Sequence, residues 1–344
     1  MSVKNSVEFS PRVLSGIQPT RGVHLGHYFG AIRHHIQLHH EYPGECFFFV
    51  ADYHALTRGK DPDIVSEGTL ELATSYLALG LDPEKAIFFR QSDVPAICEL
   101  GWILSCLAPV GLLARSPVFK NAKARDRSAG VLSYPVLQAA DIFSVQATLV
   151  PVGKDQLPAL EIARDLADKF NTRFGSFIFP LPEPRMSPYP LIKGTDGRKM
   201  HPGYNNRIHL FDSYSKLRSK VNSILTDSKG VRDKKDPESC TIFHLYSLVA
   251  STDGIIQMRE KYREGLIGYS DAKRELLIAI QEFFEPFQDK YIKLKNDPDR
   301  VLDILREGFI TAKREASAVL DEVRYLVGLR EIDKHRGRHV RLKD

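Results

Sequence analysis

The stretch Arg12-Val-Leu-Ser-Gly-Ile-Gln-Pro-Thr-Arg-Gly-Val-His-Leu-Gly-His27 reads as a strand, a turn and the opening of a helix. Its first half is apolar enough for a short strand, and Gln18-Pro-Thr-Arg-Gly is rich in residues that break regular structure. Helical periodicity begins near His24 and continues through Tyr28, Ala31, Ile32 and Ile36. Downstream, Cys46-Phe-Phe-Phe-Val-Ala is an unbroken apolar run, the pattern of a strand buried on both faces of a parallel sheet. An amphipathic helix over residues 64–79 stops at Gly80, and a second buried strand follows at Ala86-Ile-Phe-Phe. Residues 148–153 read as one more strand and 156–170 as the helix after it. The alternation predicts an α/β, Rossmann-like parallel sheet.

From Ser213 onward the chain is helix-forming, charged and poor in strand candidates, with helices predicted over 214–225, 242–250, 270–287 and 299–325. The expected organisation is an α/β domain over 1–206, a helical domain over 207–300, and a last helix in 301–344 that packs back and carries a basic tail. The Pro- and Gly-rich segment 180–203 is expected to be a linking loop.

Composition excludes several classes. The 344 residues carry 48 Lys+Arg against 43 Asp+Glu, a net +5, with 43% apolar and 26% charged residues. That is a globular balance, not a disordered one. No apolar run approaches the roughly 18–20 residues a membrane span needs. The N-terminal stretch lacks the pattern of a secretory signal, and the four cysteines form no C-x-x-C pair. A disulfide framework and a structural zinc are therefore not expected, and the cytoplasm is the expected location. The last fifteen residues hold six basic and three acidic side chains and read as a solvated terminus. His34, His35, His39 and His40 include an i,i+4 pair but no neighbouring carboxylate, so they read as a solvated helix face and no metal site is expected.

Chemistry concentrates at four places. His24 and His27 lie three apart on the first turn of a helix, where unpaired N–H groups and the helix dipole favour a phosphate. Gly26 between them lets a flat ligand approach the backbone. Gly153-Lys154-Asp155-Gln156 follows a strand, and Asp155 is either a helix cap or a partner for hydroxyl donors. Lys120, Lys123, Arg125 and Arg127 form a basic loop. Asp141 lies in Gln138-Ala-Ala-Asp-Ile, where a helical aspartate is more often solvated than ligand-binding.

Taken in order, these segments resemble the class I aminoacyl-tRNA synthetases. His24-Leu-Gly-His27 is similar to their HIGH signature, and Ser15-Gly-Ile-Gln-Pro-Thr to the opening of the tryptophanyl members. Ala51-Asp-Tyr-His54, Ser133-Tyr134-Pro-Val-Leu-Gln138-Ala-Ala-Asp141 and Val150-Pro-Val-Gly153-Lys-Asp155-Gln156 match in order and spacing, and Thr195-Asp-Gly-Arg-Lys199-Met200 falls at the KMSKS loop. The resemblance covers about 12–330 and implies a catalytic domain followed by a helical anticodon-binding domain. It implies a tryptophan–tRNA ligase of bacterial type that uses ATP with Mg2+, L-tryptophan and tRNA(Trp), and works as a homodimer. By the same resemblance, His24, His27 and Lys199 are catalytic. Gln18, Pro19, Thr20, Gly26, His27, Gly153, Lys154, Asp155, Leu191, Lys199, Met200, His201, Pro202 and Gly203 surround ATP. Asp141, Tyr134, Gln138, Gln156 and His54 surround tryptophan, Asp141 facing the indole N–H.

The chain departs from this pattern after Met200. His201-Pro202-Gly203 stands where the signature has Ser-Lys-Ser, so a lysine that meets the departing pyrophosphate is replaced by Pro202. Proline removes a charge and a backbone donor and restricts the loop. This departure keeps a second expectation open, a non-catalytic paralogue that binds tryptophan or tRNA as a sensor.

Overall fold

The computed structural model describes residues 9–57, 59, 61–188 and 191–330. Its centre is a five-stranded sheet of β1 (Val13–Ile17), β2 (Cys46–Val50), β3 (Ala86–Arg90), β4 (Leu149–Val152) and β5 (Glu183–Met186). The spatial order is β3-β2-β1-β4-β5 and every pairing is parallel. All five residues of β2 are buried, as its unbroken apolar run requires of a central strand. The winding runs outward from β1 to β3 and then returns to β4 beside β1. That reversal opens a crevice at the carboxyl ends of β1 and β4, where ligands bind in open α/β sheets.

Helices cover both faces. The chain leaving β1 enters α1, which starts at Leu25–His27, widens into a π-helical turn at Tyr28–Ile32 and continues as Arg33–Glu41. Asp61 caps α2 (Pro62–Ala78) by accepting from the Asp63 N–H, with Pro62 at the first position, where its missing donor costs nothing. Between β3 and β4 lie α3 (Ala96–Ser105) and α4 (Ala129–Ser144), the latter capped by Ser128. Helix α5 (Leu157–Phe174) ends at Gly175 in the left-handed conformation.

Beyond residue 210 the described chain is helical: α6 (Tyr214–Asn222), α7 (Thr241–Val249), α8 (Thr252–Glu264), α9 (Tyr269–Lys295) and α10 (Pro298–Val327). Tyr28 and Phe29 of α1 meet Phe283 and Phe284 of α9 edge-on or tilted, with centroids 5.1–6.5 Å apart. One apolar core thus runs from a face of the sheet into the helical region. Helix α10 returns to cover the edge strand β3. Contact is so close that a Cβ on Gly308 would lie 2.0 Å from the Phe88 carbonyl oxygen. Arg324 near the end of α10 clamps Glu99 of α3 through two bonds of 2.7 and 2.6 Å.

Two expectations need correction. The segment 180–203 is not a plain linking loop, because β5 lies within it. All four β5 residues are exposed, and an edge strand of Glu, Pro, Arg and Met carries no apolar signature. The histidine cluster is not a solvated face either. His35 and His39 are 1% and 0% exposed. His35 bonds the Tyr76 hydroxyl at 2.8 Å and stacks on Phe48 at 4.7 Å. His35 packs on the sheet because an imidazole with a hydroxyl partner can be buried neutral, whereas neither ring nitrogen of the buried His39 has a hydrogen-bond partner among the described residues. The basic tail from residue 331 lies outside the described residues.

Candidate active site

The crevice at the β1/β4 switch is built from both strand ends. Beyond Ile17, the Gln18–Pro19–Thr20 turn leads to His24, whose backbone bridges His209. The rings of His24 and His27 stack with centroids 3.7 Å apart, since one helical turn places them side by side. His24 is 4% exposed, and its Nδ1 has no hydrogen-bond partner among the described residues. Burial, reinforced by His27, His209 and Arg207, pushes its pKa far below the usual imidazole range, so the ring is neutral. A Cβ on Gly26 would sit 2.9 Å from the His24 ring and 3.3 Å from Met200 Cβ. The two segments that the sequence places 174 residues apart (200 − 26) therefore meet at this glycine.

From β4 the chain passes through Gly153 into a single 3-10 turn, Lys154–Gln156. Asp155 accepts from Gln156 Nε2 at 3.2 Å, and the Lys199 ammonium stands 3.6 Å from its carboxylate. Lys199 closes a small hairpin. Lys193 pairs with Lys199, and the Met200 N–H donates to Ile192 O at 3.0 Å. Leu191, just before it, is exposed, while Met200 is buried.

The missing Ser-Lys-Ser has a defined replacement. Asn206, 1% exposed, donates to Lys199 O at 3.1 Å and to Asp196 Oδ1 at 2.7 Å, and accepts from the His201 N–H at 3.0 Å. The Gly203 N–H donates to His201 Nδ1 at 3.1 Å across a short 3-10 turn, Pro202–Tyr204. The Arg198 guanidinium is committed to Asp196 and to the face of Tyr204, 4.0 Å from its centroid. A cleft of about 830 Å³ opens here, lined by Thr57, Asn121, Ser128, Asp155, Gln156 and His201 among others. Lys120, Lys123 and Arg125 are exposed in the loop across it. Arg127 is occupied, donating to the Ala122 and Lys120 carbonyls and lying over Phe119.

Deeper in, α4 presents Tyr134, Gln138 and Asp141 at helical spacing. Asp141 is 1% exposed. It accepts from His54 Nε2 at 2.9 Å and from Gln91 Nε2 at 2.7 and 2.9 Å. Burial pushes its pKa up, opposed by the His54 and Gln91 hydrogen bonds. His54 and Tyr134 approach to 4.4 Å between centroids. Gln138 does not hold Asp141, and its Oε1 is buried without a hydrogen-bond partner among the described residues. That bond comes instead from Gln91, which the sequence reading missed. The one available signal was its place immediately after β3, at the carboxyl edge of the sheet where polar groups collect.

Three comparisons bear on this arrangement. The family described as tRNA synthetases class I (W and Y) matches residues 7–285. A tryptophan–tRNA ligase of Rhodopirellula baltica is 44% identical over 322 residues, covering 93% of this chain and all of the relative. One from Fusobacterium nucleatum is 42% identical, covering 92% and 98%. The structure of Campylobacter jejuni tryptophanyl-tRNA synthetase complexed with ADP and tryptophan superimposes with a TM-score of 0.84 at 39% identity, covering 92% of this chain and 99% of that one. The chain belongs to the class I tRNA synthetases, among the tryptophan–tRNA ligases.

Proposed function

We propose that the crevice activates L-tryptophan with ATP and passes the acyl group to tRNA(Trp). The tryptophan carboxylate attacks the α-phosphorus of ATP and the bond to pyrophosphate breaks, leaving tryptophanyl-adenylate. A terminal ribose hydroxyl of the tRNA then attacks the acyl carbonyl and AMP leaves. Little covalent chemistry falls to the protein, which positions the in-line attack and stabilises charge. The observation that carries this reading is the meeting of His24, Gly26 and Met200 beside the Lys199–Asp155 pair at the switch point.

Each residue group has a physical role. The Gln18–Thr20 turn and Gly26 leave room for the nucleotide, and the neutral His24 and the neighbouring His27 face its phosphates. Lys199 places a full charge towards the leaving pyrophosphate. Gly153 and Asp155 meet the ribose, the carboxylate accepting from hydroxyls. Lys154, Leu191, His201, Pro202 and Gly203 border the nucleotide on the loop side. Asp141 accepts from the indole N–H, with His54, Tyr134, Gln138 and Gln156 around the rest of the amino acid. Among the described residues no group of three His, Cys, Asp or Glu could hold a metal. Mg2+ would enter with ATP as the ion carried on its phosphates, where it offsets their charge.

The helical region over 207–300 reads the anticodon end of the tRNA, and α10 braces the catalytic domain. The enzyme acts as a homodimer in the cytoplasm. Trp102 and Val110, 72% and 68% exposed, supply apolar surface for a second copy. No helix among the described residues is long and apolar enough to cross a membrane.

Tryptophan-dependent ATP–pyrophosphate exchange tests the assignment. Asp141→Ala should weaken tryptophan use by about ten- to a hundredfold, the worth of a charge-assisted hydrogen bond, with ATP binding unchanged. Exchange supported equally by tyrosine would refute the specificity. Exchange absent while tryptophan still binds would favour the sensor.

A further inference from the structure

Asp141 does not stand alone, and the way it is held points beyond the residues already assigned. Gln91 is 0% exposed. Its Oε1 accepts from the backbone N–H of Tyr53 at 3.1 Å and of His54 at 3.4 Å. Two donors on that oxygen fix the amide orientation, so the NH2 group must point the other way. It points at Asp141, reaching Oδ1 at 2.7 Å and Oδ2 at 2.9 Å. Oδ2 also accepts from His54 at 2.9 Å, whereas Oδ1 has Gln91 alone among the described residues. A carboxylate oxygen has two lone pairs, so Oδ1 keeps one for a further donor.

We propose that Gln91 is a positioning residue for amino-acid specificity: it fixes Asp141 so that the lone pair left on Oδ1 meets a ring N–H of the substrate. Gln91 touches no substrate in this scheme. It acts through Asp141, holding the carboxylate against rotation and supplying a donor that favours its charged form in a fully buried site. His54 is pinned by the same amide, because Gln91 Oε1 holds the backbone that carries the imidazole. One side chain thereby sets two of the groups around the ring. A site so prepared discriminates because a ligand without the donor leaves a buried carboxylate oxygen short of a partner.

The inference rests on the reading of Asp141 as the acceptor for the indole N–H, and the test separates the two. The probe is β-(3-benzothienyl)alanine, which replaces the indole N–H by sulfur and keeps the bicyclic shape. Exchange is measured for it and for tryptophan. The full-length parent should prefer tryptophan by about ten- to a hundredfold in kcat/KM. Gln91→Met should erase most of that preference through the KM for tryptophan, with the ATP KM unchanged. Gln91→Glu, close in size but without the NH2 donors, should erase it too, which covers the case that the methionine variant does not fold. A general loss of stability would depress both substrates together and leave their ratio intact. An unchanged ratio in a folded Gln91 variant overturns the proposal, provided Asp141→Asn abolishes it. If Asp141→Asn also leaves the ratio unchanged, the reading of Asp141 fails first.

Discussion

Replacing Lys199 by alanine separates the ground state of this site from its transition state. In the resting structure Lys199 touches Asp155 at 3.6 Å, and the two side chains are 57% and 62% exposed. An exposed pair of that kind contributes about 0.2–1 kcal/mol at most, and less in salt. The backbone of the hairpin is held by Asn206 through the Lys199 carbonyl, which the substitution leaves in place. Denaturant midpoints should therefore hardly move. The transition state is different, because charge grows on the departing pyrophosphate and no lysine lies between Lys199 and Lys216. Arg198 cannot substitute, as Asp196 and the Tyr204 ring hold it. Removing one such donor costs about 2.7–4 kcal/mol by analogy with oxyanion contacts, a hundred- to a thousandfold in kcat. Single-turnover formation of tryptophanyl-adenylate is the assay, with tryptophan affinity measured alongside. A Lys199→Ala protein whose activation rate matches the parent refutes the reasoning and shifts the contact to Lys120 or Lys123.

Two further outcomes follow from the packing. Gly308→Ala places a methyl 2.0 Å from the Phe88 carbonyl oxygen, so α10 must lift off β3 at a cost of about 1–3 kcal/mol; an unchanged urea midpoint would refute that contact. Burial pushes the pKa of His35 down to about 3, while the unfolded chain takes up its proton near pH 6.5. The unfolded state then binds more protons across that window, so stability is full above it and falls as pH drops towards 3. His35→Phe should remove up to about 1.4 kcal/mol per pH unit from that slope, read from denaturation midpoints at several pH values; an unaltered slope would show that His35 does not titrate as buried.

What the sequence made legible follows from periodicity. β1, β2 and β3 and the helix after the first turn were readable because apolar residues either run unbroken or recur at helical spacing. β5 was not, because Glu183, Pro184, Arg185 and Met186 are all exposed. It is a strand by pairing with β4, not by composition. His35 misled for the opposite reason, since its burial depends on Tyr76, 41 residues away, and a buried polar side chain looks like a surface residue in one dimension. Among the candidate site residues, spacing along one helix linked Tyr134, Gln138 and Asp141, whereas the Gln91–Asp141 bond joins residues 50 apart. No local pattern marks a glutamine whose partner arrives by a crossover connection.

The altered loop keeps a defined geometry although its motif is broken. A loop that closes on its ligand needs a charge at the right place and a backbone able to bring it there. Pro202 removes one charge and one backbone donor, but the geometry around it is specified more tightly. Asn206 ties Lys199, Asp196 and His201 into one knot. The Gly203 N–H donates to His201 Nδ1, which orients the ring, and His201 lines the cleft. The loop thus carries one full charge on Lys199 and one oriented imidazole on His201, held by a buried asparagine. Fixing these groups beforehand lowers the reorganisation needed during reaction, which is the term that makes preorganised dipoles effective. If Lys199 meets the departing pyrophosphate as proposed, the electrostatic loss at Pro202 and the conformational gain at Asn206 act on the same barrier with opposite sign.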